Sequence, residues 1–172
     1  NYDDEFESIF NKKTPVEDPT IYICAPHDAT MVTRPGHEAW FVLVNAPRHG
    51  KDAFDWSDAQ VAQKYAMKIL DQIESRGIRV RDRLDFMEIR TPADLEKSVL
   101  APGGSIYGTS SNGAQSAFSR AKNRSPLKGL YCVGGSAHPG GGLPLVGLSA
   151  EIVAQAILTE DGDEQLSSLD RH

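Results

Sequence analysis

The chain has 172 residues, 40% of them apolar and 24% charged, with a formal net charge of -6. That balance is ordinary for a soluble globular domain and excludes disordered, collagen-like and coiled-coil classes, while the length suffices for one domain with a proper core. The negative charge argues against a nucleic-acid surface, since the densest basic run, Arg76, Arg79, Arg81 and Arg83, is diluted by Asp82 and Asp85 and reads as a solvated strand edge or loop.

The opening NYDDEFESIF places Tyr2, Phe6, Ile9 and Phe10 at helical spacing, which predicts an acidic amphipathic helix. It lacks the basic and apolar regions of a secretory leader and starts without Met, so the expectation is a cytoplasmic piece of something longer. After the proline-bearing connection KKTPVEDP, the runs TIYICAP and AWFVLVNAP read as neighbouring antiparallel strands, the second buried on both faces. SDAQVAQKYAMKILDQIESRG then sets Val61, Tyr65, Ile69, Leu70 and Ile73 on one helical stripe. Ser57 or Asp58 would be its N-cap and Gly77 its stop.

A third strand is expected over 85–90, followed by a helix from Pro92 with Thr91 as N-cap and Asp94 or Glu96 in its first turn. Residues 101–126 are rich in Gly, Ser and Asn but carry Ile106, Tyr107 and Phe118, a composition suited to a long functional loop or lining segment. The chain then offers a strand at 130–133, a glycine turn, a helix over about 146–158 and a polar acidic tail, 161–172. Cys24 and Cys132 lie in apolar runs without CxxC spacing and read as small buried hydrophobes of a reducing compartment. The longest apolar run, 143–158, is interrupted by Glu151 and Gln155 and falls short of the roughly 18 to 20 residues of a membrane span.

The junction LYCVGGSAHPGGGLPLVGLSAEIV carries the chemistry. A buried strand, a sharp glycine turn and a helix start aim backbone N–H groups and a helix dipole at an anionic or electron-rich group. Gly134 and Gly135 would let a ligand approach the backbone, and Gly140, Gly141 and Gly142 permit positive φ, with Pro139 and Pro144 stiffening either side. Five glycines in nine residues favour a cofactor-facing loop, with a tight structural turn as the other reading. No lysine follows Gly140–Gly142, GxSxG fails at His138, and no GxGxxG exists in the chain, so P-loop, nucleophile-elbow and complete dinucleotide-binding readings fall away. His27, His37, His49, His138 and His172 show no HxH or HxxxH spacing, and no metal site is expected.

The same stretch resembles the C-terminal signature of the FAD-dependent phytoene and carotenoid desaturase family of the flavin amine-oxidase superfamily, in its apolar strand, HPGGG turn and LP before the last helix. Upstream, DPTIYICAP, IRTPADLE, GGSIYG and SRAKNRSPLKGLY resemble the family too, so the likeness runs from about residue 18 to 158. Ser136 or Ala137 stands where the amine oxidases usually present an acidic residue, which favours the polyene-modifying subgroup.

The resemblance implies a mixed α+β (α/β) architecture. Residues 1–120 would be the later part of a substrate domain with a largely antiparallel sheet and flanking helices. Residues 121–160 would be the last strand, glycine turn and helix of a Rossmann-like FAD domain, with 161–172 as a tail. It further implies that Gly134 and Gly135 approach the pyrophosphate or ribityl of FAD, that Gly142, Leu143, Pro144, Leu145 and Val146 lie by the isoalloxazine, and that the helix N-terminus near Val146 points at the flavin. His138 is a proton-carrier candidate or a loop-fixing hydrogen-bond partner, with no settled role to carry over. The implied partners are a lipophilic polyene, the missing N-terminal half, a membrane surface touched peripherally, and, through the orphaned strand 130–133, a further copy of the chain. A self-standing module that binds an anion or a protein through the glycine turn is the alternative.

Overall fold

The computed structural model describes residues 2–32, 34–108 and 120–169, the last ten of these by their backbone. They form two compact units, Asn1–Ser105 and Ile106–His172. The expected Phe118 lies outside the described residues.

In the first unit, α1 (Tyr2–Phe6) continues as a wider π turn over Glu7–Lys12. The helical spacing holds, and the Tyr2, Phe6 and Phe10 rings touch in series, but they face solvent. The buried member of α1 is Glu5, 2% exposed, whose carboxylate accepts from the Thr20 amide at 3.0 Å and the Asn45 amide group at 2.9 Å. Burial pushes its pKa up, and these hydrogen bonds more than offset that and hold it below the usual carboxylate value.

Strands β1 (Ile21–Cys24) and β2 (Phe41–Val44) pair antiparallel from Ile21 opposite Val44 to Cys24 opposite Phe41, as their composition predicts. Helix α2 (Ala59–Ser75) buries Ile69, Leu70 and Ile73, against which Ile21, Ile23, Val44, Tyr65 and Val80 pack. Asp58 caps α2 by accepting from the Gln60 amide, and Gly77 adopts φ +94 just past its end. Burial of β2 on both faces does not occur: Phe41, Val42 and Leu43 are exposed. A strand buried on both faces needs a second covering layer, and the cluster that packs against the pair, centred on Ile69, Leu70 and Ile73, leaves Phe41, Val42 and Leu43 exposed.

Trp56, 4% exposed, donates its indole N–H to the Pro47 carbonyl and lies between the Phe54 and Tyr65 rings. The Tyr65 hydroxyl donates to the Val16 carbonyl at 3.1 Å, and burial pushes the phenol up to about 12, with Glu5 and Glu17 acting the same way. The folded value is raised, so this contribution is whole below about pH 10 and is lost as pH rises through about 12. Urea melts from neutral to strongly alkaline pH should show a steeper alkaline loss for the wild type than for Tyr65→Phe; parallel curves would contradict the assignment.

Residues 85–90 form no strand, and Phe86 is 82% exposed. A lone extended segment needs an edge to pair with, and none meets it among the described residues. The preceding basic run makes a 3₁₀ turn at Arg81–Arg83 and is ion-paired, Arg76 with Asp18, Arg79 with Asp82, and Arg81 with Asp71 and Glu74. Helix α3 (Pro92–Val99) starts as its sequence dictates. Thr91 Oγ1 accepts from the Asp94 amide, the Asp94 carboxylate accepts from the Thr91 amide, and Pro92 takes the first helical position.

In the second unit, α4 (Leu143–Leu169) begins three residues before the expected start and runs on past residue 158. Ser149, Val153 and Ala156 form its buried stripe at helical spacing. The strand expected at 130–133 is reduced to one antiparallel bridge, Tyr131 with Arg124. A parallel strand takes its ladder from neighbours on both sides, and Arg124 is the strand partner that the described residues offer it. Cys24 and Cys132 are half-buried free thiols rather than buried ones.

Candidate functional site

The glycine turn of the second unit is held by a buried polar knot that no local pattern announces. Asn123, 6% exposed, shares the two hydrogens of its side-chain amide among the Cys132 carbonyl at 3.0 Å, the His138 carbonyl at 2.9 Å and Ser149 Oγ at 3.0 Å. Its own carbonyl accepts from the Cys132 amide at 2.9 Å. Ser149, fully buried in the second turn of α4, accepts from the Gly134 amide at 3.2 Å. One asparagine thus ties the segment before the turn, the turn itself and the helix after it. Unpaired, the buried groups it serves would each cost about 1–3 kcal/mol.

Arg120 adds a second tie. Its Nη1 donates to the Tyr107 carbonyl at 2.9 Å and to the Gly135 carbonyl at 3.3 Å, and its guanidinium lies over Gly140. The Tyr107 ring lies on Gly141, occupying the space in which any side chain there would stand.

These ties divide the predicted site residues into two sets. Gly134, at φ +113, spends its N–H on Ser149, and Gly135 packs close to Gly141 and Val146; both serve the turn's own packing. His138 is engaged through its backbone: its amide donates to the Ala121 carbonyl at 2.9 Å and its carbonyl accepts from Asn123. The imidazole is exposed, and no hydrogen bond to it is formed among the described residues.

Gly142, Leu143, Pro144 and Leu145 form the open set. Gly142 has φ +94 and nothing within 4 Å of where a Cβ would stand, Leu143 is 89% exposed and Leu145 40%. The Val146 amide donates to the Gly142 carbonyl at 2.9 Å, closing the first helical turn, so the expected helix N-terminus at Val146 lies earlier. The amides left without an intrahelical acceptor are those of Gly142, Leu143 and Leu145, Pro144 having none. Among the described residues no group of three or more His, Cys, Asp or Glu side chains is arranged to hold a metal ion, and no helix is long and apolar enough to cross a membrane.

No family model matches the chain. Relatives among characterised proteins do. A 1-hydroxycarotenoid 3,4-desaturase from Flavobacterium sp. (strain P99-3) is 41% identical over 164 residues, 91% of this chain and 32% of the relative. The chain belongs to the carotenoid desaturase family. The hydroxyneurosporene desaturase of Rubrivivax gelatinosus is 32% identical across 92% of the chain, and a 4,4'-diaponeurosporene oxygenase of Staphylococcus aureus is 33% identical across 88%. The chain spans about a third of the length of these relatives and matches their C-terminal portion. The self-standing binding-module reading is therefore without support: most of the chain aligns with one continuous part of larger desaturases.

Proposed function

We propose that the chain is the C-terminal part of an FAD-dependent oxidoreductase that dehydrogenates a long polyene hydrocarbon. Residues 1–120 would complete its substrate domain, 121–160 would supply the closing strand, turn and helix of a Rossmann-like FAD domain, and 161–172 a tail. The observation that carries the reading is the open run Gly142–Leu143–Pro144–Leu145 at the start of a 27-residue helix. The desaturase activities of the relatives support it.

The residues fit a large planar cofactor with an electron-rich edge. Gly142 leaves room for close approach, Leu143 and Leu145 present apolar surface, and their amides stand at the positive end of the α4 dipole. Bound FAD would supply the hydride acceptor. The chain's contribution is electrostatic: preorganised N–H groups stabilise negative charge developing on a ring held against them. The exposed His138 is the single ionisable side chain of the turn and the acid–base candidate that the chain offers there. The partners proposed are the N-terminal portion of the same protein, a lipophilic polyene, and a membrane surface at the cytoplasmic face from which that polyene is drawn.

The complete gene product, purified from polyene-accumulating cells, should carry stoichiometric flavin and yield a product with additional conjugated double bonds. A colourless, inactive protein whose upstream sequence lacks GxGxxG would overturn the reading. The chain alone should retain no flavin, since most adenosine and pyrophosphate contacts would lie upstream, and light scattering should show it associating through its unpaired strand edges. In the complete protein, His138→Gln lowers turnover at unchanged flavin content if the imidazole moves a proton, and leaves both unchanged if only the backbone matters.

A further inference from the structure

We propose that Tyr107 is a positioning residue of the flavin-facing turn, an inference that rests on the functional reading above: its ring fixes Gly141, and through it the neighbouring Gly142, in the conformation that receives the cofactor's planar ring. The motive is a residue held where it would not stay unaided. Tyr107 has φ +70, a left-handed conformation that a bulky non-glycine residue rarely adopts. Two neighbours enforce it. Arg120 Nη1 donates to the Tyr107 carbonyl while also holding the Gly135 carbonyl, which ties Tyr107 to the glycine turn. The next residue, Gly108 at φ +75, lies so close to Ser136 that a Cβ there would stand 2.9 Å from the Ser136 carbonyl oxygen.

This over-determined backbone delivers the ring to one place. A Cβ on Gly141 would lie 1.8 Å from Tyr107 Cδ1, so the ring fills the side-chain space of the central glycine of the GGG run. Ordinary packing would bury such a ring, yet Tyr107 is 54% exposed. One part of the ring rests on Gly141, beside the open Gly142–Leu145 run, and the exposed remainder can meet a conjugated planar group in offset or edge-on contact. Strain maintained by surrounding contacts, together with an exposed aromatic surface, is more than a turn needs for its own stability.

The test uses the complete gene product with Tyr107→Phe, Tyr107→Leu and Arg120→Gln, reading flavin retained per polypeptide after desalting, the flavin absorbance and fluorescence envelope, and thermal melts. Tyr107→Phe should keep wild-type flavin content and spectrum. Tyr107→Leu, which fills the space above Gly141 without an aromatic face, should melt near the wild type yet bind flavin at least ten-fold more weakly and with an altered spectrum. A Tyr107→Leu protein with wild-type flavin content and spectrum overturns the proposal while the functional reading stands. If Tyr107→Leu does not fold, Arg120→Gln decides, because it keeps the ring but releases its carbonyl: ten-fold weaker flavin binding supports the proposal, and wild-type binding overturns it. A wild-type protein that binds no flavin overturns both.

Discussion

Replacing Asn123 by Leu should destabilise the second unit by on the order of 3–5 kcal/mol, the largest effect expected from a single side chain there. Leucine keeps the branched shape of asparagine but has no polar atoms, so most of the loss would come from hydrogen bonding. The Cys132 and His138 carbonyls would each lose the Asn123 donor, and the buried Ser149 hydroxyl would keep only the Gly134 amide. Asn123→Asp sharpens the test, since the carboxylate keeps the shape but presents acceptors to two carbonyl oxygens. It should be at least as damaging as Leu. Denaturant midpoints and hydrogen exchange at the Gly134 and Cys132 amides measure this. An Asn123→Asp protein with wild-type protection at both amides would show that the knot does not hold the turn.

The knot also marks the limit of what the sequence discloses. Helices α2 and α3 are announced locally: Asp58 and Thr91 stand at their N-caps, Pro92 at a first helical position, Gly77 beyond an end, and the apolar stripe repeats at 3.6 residues. The β1–β2 pairing is nearly as local. What fails needs partners from elsewhere. Burial of β2 on both faces, the strand over 85–90 and the ladder over 130–133 all require neighbours that the described residues do not provide. Helix α4 starts three residues before its expected start, with Pro144 in the first turn, where proline is a helix-starting signal. Asn123 has no signal of its own: it lies 26 residues from Ser149 in a polar stretch, and only the fold makes it central.

The turn is legible in composition and ambiguous in role, and its glycines stand in two different surroundings. Gly134 and Gly135 are consumed by packing and by Ser149, whereas Gly142 and the leucines after it face outward. A glycine count cannot separate these uses, because close backbone packing and close ligand approach make the same demand for a missing Cβ.

In the first unit the most damaging small change expected is Gly104→Ala. Gly104 has φ +68, and a Cβ there would stand 2.0 Å from the Pro92 carbonyl oxygen and 2.6 Å from its carbonyl carbon and Cα. Those are backbone atoms of the first turn of α3, so no rotamer change relieves the clash. Either the 3₁₀ turn Pro102–Gly104 must move or Pro92 must, and moving Pro92 disturbs the Thr91–Asp94 capping box beside it. The loss should be about 2–4 kcal/mol, combining strain of about 1–3 kcal/mol with a damaged cap of about 1 kcal/mol. Gly77→Ala provides the contrast. Gly77 also has positive φ, at +94, but nothing stands within 4 Å of the added methyl, so only the conformational cost of about 1–2 kcal/mol remains. Thermal melts of the two variants should rank Gly104→Ala well below Gly77→Ala, and equal melting temperatures would mean that the contact with Pro92 yields at little cost.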